Sequence, residues 1–598
     1  MPLEQLPILD AYYDVQRFKQ FSPQDCANFY QVAAPSGKQQ KALYPCMGRK
    51  HINYLNQVRF AYSAQPRKIF RSIDYMYVVV GNTIYQYDSE FREVILRNPD
   101  FNKVKGALNF AYLPTVQELA SSAGNFVQPT YCMLCDGSKI FIIDEHTTDP
   151  NAVFLTVTDP DAPVNPLYVA AFGNRFVVSG RGSTEFRLTQ INLGTNPVDV
   201  STVFQVGGQA VFAQESGIIQ QMAVLHNQLY LFTDFTTGIW SNTPSTFNTT
   251  AFPWKKNTSY DWDSGMSDPE SLAVDFGMMC WLGKNKSGLQ QFMVSDGNKP
   301  QPFSTQAISI LLQKNADTDA LSPFIGQDTN GFLYQYENTV FYRASANAFY
   351  NFDDSSITSS ANCIEFNFDT QNWHRCIEVN GDRNRIQNHV YFSNRHIVSV
   401  ERSDELYEMA GNIYINEERN PEQPDINAAD AFLKMPMRYE IVSPIIYKEG
   451  YVEFKTDWVQ VDFVWGMETF IRADAPFENT VYLVAEESTE ENPVYLAEED
   501  GETLIIAEGS NTPGLNEVTY YDMFKPHIEM YVSDDGGISY YSIDVLEFSQ
   551  LGVYQWRMRW NRCGISRNRV YKLEIVSPAP IIILGATMLT SVVSGGAG

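Results

Sequence analysis

VVVGNTIYQY, Val78–Tyr87, decides the reading of this chain. A β-branched run meets Gly81-Asn82, and alternating apolar positions follow. That order of residues specifies a hairpin: strand, turn dipeptide, strand. The phrase recurs as CMLCDGSKIFII (Cys132–Ile143), VAAFGNRFVV (Val169–Val178) and MAVLHNQLYLF (Met222–Phe232). Looser copies lie at 289–298, 331–343, 363–376 and 389–400. Repetition of small antiparallel sheets about an axis leaves this signature, and its commonest form is the β-propeller. The alternative is a large β-sandwich or several separate small sheets. Equivalent turns are unevenly spaced (Gly81, Gly137, Gly173, Asn227), which implies long decorating loops or a shifting alignment.

The 598 residues suffice for two to four domains. With 44% hydrophobic and 19% charged residues the chain is globular, and 34 Tyr and 38 Phe suit many short strands. A net charge of −27 argues against a DNA-gripping surface, because such surfaces are basic. Nucleic acid near this protein would be repelled or guided. Met1–Asp10 has neither a basic start nor an apolar run, so no secretory leader is expected. No apolar run is long enough for a membrane-spanning helix.

The eight cysteines are scattered, and folding inside a cell is the default expectation. Cys132 and Cys135 form one C-x-x-C without a second ligand pair, and both are expected to be buried in a strand. No cofactor or metal motif is found: G-x-S-x-G, H-E-x-x-H and the phosphate-binding loop are all missing from the sequence. His389 and His396 share one hairpin without a third ligand.

Few helices are indicated; STQAISILLQK, Ser304–Lys314, is one. Thr236–Ser267 reads as a loop insertion, and its Trp240, Trp254 and Trp262 are candidate docking residues. The polar stretch around 413–436 reads as a linker. Long alternating strands after it predict an antiparallel sandwich. Within that sandwich, 481–510 holds nine carboxylates, among them Glu498, Glu499 and Asp500. Their spacing does not fit a calcium loop, so a projecting solvated ribbon is expected.

SDDGGISY, Ser533–Tyr540, is similar to the Asp-box of sialidase propellers, with Tyr540 where Trp is usual. Asp535 can satisfy its own turn, so a structural role is expected. The basic cluster Trp556–Arg569 stands out on the acidic background. Arg557, Arg559, Arg562, Arg567 and Arg569 are interleaved with Trp556 and Trp560. Arginine forks suit carboxylates, so protein–protein contacts are expected of these residues. Base stacking on single-stranded nucleic acid is the sharper alternative.

Several phrases together resemble one family. They are CANFYQV (26–32), ALYPCMG (42–48), LHNQLYLFTDFTTGIWSN (225–242), SDPESLAVDFGMMCWLGKN (267–285), QPFSTQAISILLQ (301–313) and WRMRWNRCGISRNRVYKLEIVSPAPIIIL (556–584). Their order resembles the packaged DNA stabilisation proteins of short-tailed phages, which are tail hub or nozzle proteins. The ribbon at 481–510 departs from the simplest members. The resemblance implies a non-enzymatic ring, typically a hexamer, below the portal and adaptor. Such a ring continues the DNA channel, retains the packaged genome, passes DNA without reading its sequence and docks fibres or spikes. It also implies assembly in the host cytoplasm, residence in the virion tail and transient contact of the tip with a host surface. The expected organisation is then a platform from both termini (1–56 and 437–598), a propeller-like body (57–412) and the linker at 413–436. The rival reading is a glycan-degrading propeller enzyme of a phage tail.

Overall fold

The computed structural model describes residues 3–592, apart from 17, 34–40, 53–63, 115–129, 146, 148–152, 194–197, 212–216, 243–251, 253, 258–260, 313–328, 347–361, 420–431, 466–525 and 549–555. The chain divides into two units. One holds Met1–Arg59, Ile377–Gly381 and Ala410–Gly598; the other holds Phe60–Cys376 and Asp382–Met409.

The second unit is a propeller-like body. Its sheets are small, antiparallel and consecutive in the chain. Their inner strands begin at residues 66, 109, 166, 221, 273, 329 and 386. The opening phrase forms the central hairpin of the first sheet, with Val78 opposite Tyr85 and Val80 opposite Thr83. Around the body, the first strand of each sheet lies against the first strand of the next. Ile386–Phe392 of the seventh sheet returns to Pro66–Arg71 of the first. The first and second sheets meet through Phe70 and Phe110, stacked with centroids 3.8 Å apart. Seven sheets therefore close a ring.

Apolar layers between sheets hold the ring together. Tyr77, Val79, Leu134 and Phe141 fill one layer, and Phe176, Val178, Met133 and Ile142 the next. Burying one such side chain contributes about 1.5–3 kcal/mol. Close backbone approach also matters. At Gly331, on the first strand of the sixth sheet, a Cβ would run into the Ser271 carbonyl and the Tyr342 hydroxyl. Gly331→Val should therefore cost about 1–3 kcal/mol of stability, read as a lowered urea midpoint. An unchanged midpoint would mean that the fifth and sixth sheets can part without cost.

The expected helix is present as Gln306–Leu311, capped by Thr305, whose hydroxyl accepts from the Ile308 amide. Cys132 and Cys135 are buried on strand Thr130–Cys135.

The first unit is an antiparallel sandwich built from both ends of the chain. One sheet runs Phe29–Ala33, Lys41–Pro45, Ile581–Val592, Phe454–Trp465, Trp556–Ser566, with Leu3–Gln5 also paired to Ile581–Val592. The other contains Phe432–Val442, Asn568–Ser577, His527–Ser533 and Tyr541–Glu547. Phe29, Val459, Val461 and Ile583 from the first sheet meet Tyr439, Ile441, Met530 and Leu573 from the second in one core.

The segment expected as a linker is partly paired strand. Ile415–Arg419 runs antiparallel to Phe432–Val442, with Ile415 opposite Pro436. Its acidic residues misled the reading because two of them are held in place. Buried Glu417 accepts from the His51 amide, and Glu418 pairs with buried Arg49. Arg49 also donates to Glu378 at 2.6 Å, which ties Ile377–Gly381 into this unit.

Candidate functional site

Two regions gather chemistry: the arginine-bearing strand of the sandwich and the hub of the propeller-like body. Among the described residues Trp556–Ser566 is the edge strand of its sheet, and it pairs with Phe454–Trp465. Arg557 lies opposite Asp462 and donates to it at 2.9 Å, with its side chain 68% exposed. Arg559 donates to Gln460 and lies over the Trp458 ring, 4.4 Å from its centroid. Arg562 is exposed, sits in the left-handed region at φ 58° and has no ion-pair partner among the described residues. Arg567 is exposed and pairs with Glu453 at 3.2 Å. These four guanidinium groups are available at one edge.

The other members of the cluster differ. Arg569 is fully buried. Its Nε and Nη2 donate to Asp534 at 2.9 and 2.8 Å, and its remaining donors bond the Cys563 and Ile565 carbonyls. Trp560 is buried and donates to the Asp544 carbonyl. Both are corrected from contact residues to anchors of the fold. Trp556 lies on the edge strand opposite Phe463. The 481–510 ribbon, with Glu498, Glu499 and Asp500, lies outside the described residues.

The tryptophan docking loop is also corrected. Thr236–Ser267 supplies strands Thr237–Asn242, Trp254–Lys256 and Gly265–Met266 to the fourth and fifth sheets. Trp240, Trp254 and Trp262 are all buried. They pack on Phe186, Phe172 and Tyr230, with centroids 5.2, 4.8 and 5.1 Å apart. Polar spacing residues suggested a loop, but large rings fill the gaps between sheets better than they serve a solvated tip.

The Asp-box-like turn is self-contained. Asp535 accepts from the Ser533 and Ser539 hydroxyls at 2.6 and 2.5 Å and from the Ile538 amide at 3.0 Å. These bonds hold its carboxyl far below the usual range.

At the hub of the body lies a cavity of about 660 Å³. Its walls come from the inner strands of the first, fifth, sixth and seventh sheets. Lys68 of the first sheet forms an ion pair with Glu270 beside the fifth. Asn109 of the second sheet donates to Gln221 of the fourth at 2.8 Å. Crossed in this way, the hub is no passage for a duplex whose major groove alone is about 12 Å wide. His389 and His396 stand in the wall, Nε2 to Nδ1, 2.9 Å apart. Burial first, then the neighbouring imidazole and Arg343, pushes His389 well below the ordinary histidine range. Burial also lowers His396, which bonds the Gln335 backbone. Both shifts favour the neutral form of the two imidazoles.

No family model and no curated protein matches the chain. Among solved structures it is similar to the WD40 domain of Neurospora crassa Pan2, at 7% identity and a TM-score of 0.34, covering 61% of this chain and 94% of that one. It is also similar to the computationally designed Ika8 protein, at 13% identity and a TM-score of 0.30, covering 58% and 96%. Neither likeness bears on function. The propeller-like architecture rests on the ring of seven sheets described above.

Of the hub residues, the sequence reading singled out His389 and His396, and only as a pair without a third ligand. One signal was present. The turn Phe276-Gly277 joins Asp275 to Met278 with φ of 51° and 72°, a conformation that favours Asn-Gly. A phenylalanine in that position is out of place for a turn alone.

Proposed function

We propose that the chain is a non-enzymatic structural subunit of a short-tailed phage tail. It forms an oligomeric ring, a hexamer, below the portal and adaptor, continues the DNA channel, retains the genome and docks fibres or spikes. The observation that carries this reading is the edge strand Trp556–Ser566. Unpaired strand edges template association, and this one carries exposed Arg557 and Arg562 on a chain of net charge −27. Arginine forks there match carboxylates of a neighbouring copy or of an adaptor. The crossed hub adds to it: a DNA conduit would run between copies and not through one body. An acidic lining would let the genome slide. The ordered phrases quoted above point the same way. The turn around Asp535 satisfies its own carboxylate, so it lends the glycan-degrading reading no support.

Light scattering of the purified chain, with and without its adaptor ring, tests the proposal. The expected species is hexamer-sized, alone or on the adaptor. The triple variant Arg557→Glu, Arg562→Glu, Arg567→Glu should shift it to the monomer mass at unchanged circular dichroism. A wild-type monomer in both conditions would overturn the reading.

A further inference from the structure

We propose that the hub cavity of the propeller-like body binds a saccharide that carries a carboxylate. At about 660 Å³ it has the size of a small-molecule site, and it is open to solvent through a rim of turns. The rim and walls offer three kinds of contact.

The first is aromatic. Phe276 is 41% exposed and Tyr391 is 42% exposed, and both line the cavity. Phe276 is held at φ 51°. A bulky side chain in the left-handed region is strained, and such strain gathers at ligand clamps. In the third, fourth, sixth and seventh sheets the corresponding turns are Gly173-Asn174, His226-Asn227, Glu337-Asn338 and Ser393-Asn394, each with two positive φ values. Among these five turns only that of the fifth sheet carries a phenyl ring, and it lines the cavity.

The second is amide. Asn330, Gln335 and Asn338 line the cavity and have no side-chain partner among the described residues. Each amide offers donors and an acceptor together, which matches hydroxyl groups that need both. The His389–His396 pair, favoured in its neutral form, adds further polar contact.

The third is a single guanidinium. Two cations and three carboxylates line the cavity. Lys68 and Glu270 neutralise each other. Asp275 and Glu337 are exposed at the rim, where they can accept from hydroxyls. Arg71 lines the cavity and has no ion-pair partner among the described residues. An unpaired arginine fork recognises a planar carboxylate. Stacking rings, free amides and one open guanidinium together describe an acidic sugar.

Titration calorimetry with the full chain tests this, using methyl glucuronide and methyl glucoside as probes. The two differ in the carboxylate. The glucuronide should bind about tenfold tighter, the ratio that one charge-assisted hydrogen bond supplies. Arg71→Met should abolish that preference, bringing the two affinities together. Phe276→Asn keeps the turn, because asparagine tolerates the left-handed region, so the melting temperature should hold while both sugars bind at least about tenfold more weakly. Absence of binding by both sugars at millimolar concentration would overturn the proposal. So would equal affinities that Arg71→Met leaves untouched, or binding that survives in Phe276→Asn.

Discussion

Replacing Glu365 by alanine should cost the propeller-like body roughly 3–5 kcal/mol, the usual penalty for stranding a buried charge. Strand register lines up Phe332, Arg343, Glu365 and His374 straight across the sixth sheet. Arg343 and Glu365 are both buried, with Nε to Oε2 at 2.6 Å. Tyr334 donates to the same carboxylate oxygen at 2.7 Å, and His374 meets the other at 2.9 Å. Arg343 Nη1 already lacks a hydrogen-bond partner, so nothing nearby can take the place of the lost carboxylate. The rings of Phe332 and Tyr334 beside the guanidinium offer only weak compensation. Glu365→Gln keeps the volume without the charge and should fall between alanine and wild type. Urea unfolding followed by circular dichroism measures the series, and a loss below about 1 kcal/mol for alanine would refute the argument.

The same cluster sets a pH window. Burial would lower His374, but hydrogen bonds to Cys376 and Glu365 outweigh it and hold the imidazole up at about 9. A raised folded value means that its contribution is complete below 6.5, the ordinary value, and lost as pH rises through about 9. Burial would raise Glu365, but Arg343 and His374 hold it down at about 2, from an ordinary 4.5. Its contribution is present above 4.5 and lost as pH falls through about 2. The melting temperature should therefore decline between pH 6.5 and 9, and His374→Asn should remove most of that decline.

Arg569→Met should cost the sandwich about 2–4 kcal/mol, whereas Arg557→Ala should stay within about 1 kcal/mol. The two arginines sit in one sequence cluster, yet their surroundings differ. Arg569 is buried and donates to Asp534, Cys563 and Ile565, so its loss takes a buried donor from two carbonyls and leaves Asp534 with the Tyr541 hydroxyl in place of a charged partner. Gly564, at φ 89°, brings the chain close to the guanidinium, and methionine can reach none of those acceptors. Arg557 is solvated, and its single pair with Asp462 is screened. Equal losses for the two variants would show that the buried network contributes nothing beyond an ordinary surface pair.

The fold was legible because hairpin chemistry is local. Val78–Tyr87 carries strand, turn and strand within ten residues. The uneven spacing has a simple origin. Gly81 and Gly137 lie between second and third strands of their sheets, whereas Gly173 and Asn227 lie between first and second. One turn type was being compared with another. Burial is decided by tertiary neighbours, and there the sequence was silent. Nothing local distinguishes buried Arg569 from exposed Arg567, two residues away. Trp262 reads as a loop residue until Tyr230 and Trp281 are seen on either side of it. The hub as a site was hard to read because its walls come from strands hundreds of residues apart, although His389 and His396 stand out as a pair.

The pairing of Leu3–Gln5 with Thr587–Leu589 has a consequence for synthesis. The ribosome makes one strand long before its partner, with the whole body between them. The whole body can be completed and fold while the early strand still waits. The sandwich closes only once Ile581–Val592 emerges, and the arginine edge at 556–566 is laid against Phe454–Trp465 in the same late step. A chain cut short after Met409 and before Ile581 would carry a finished body and an open sandwich. On the proposed ring, such a fragment should be unable to assemble, so the order of translation itself would screen damaged copies out.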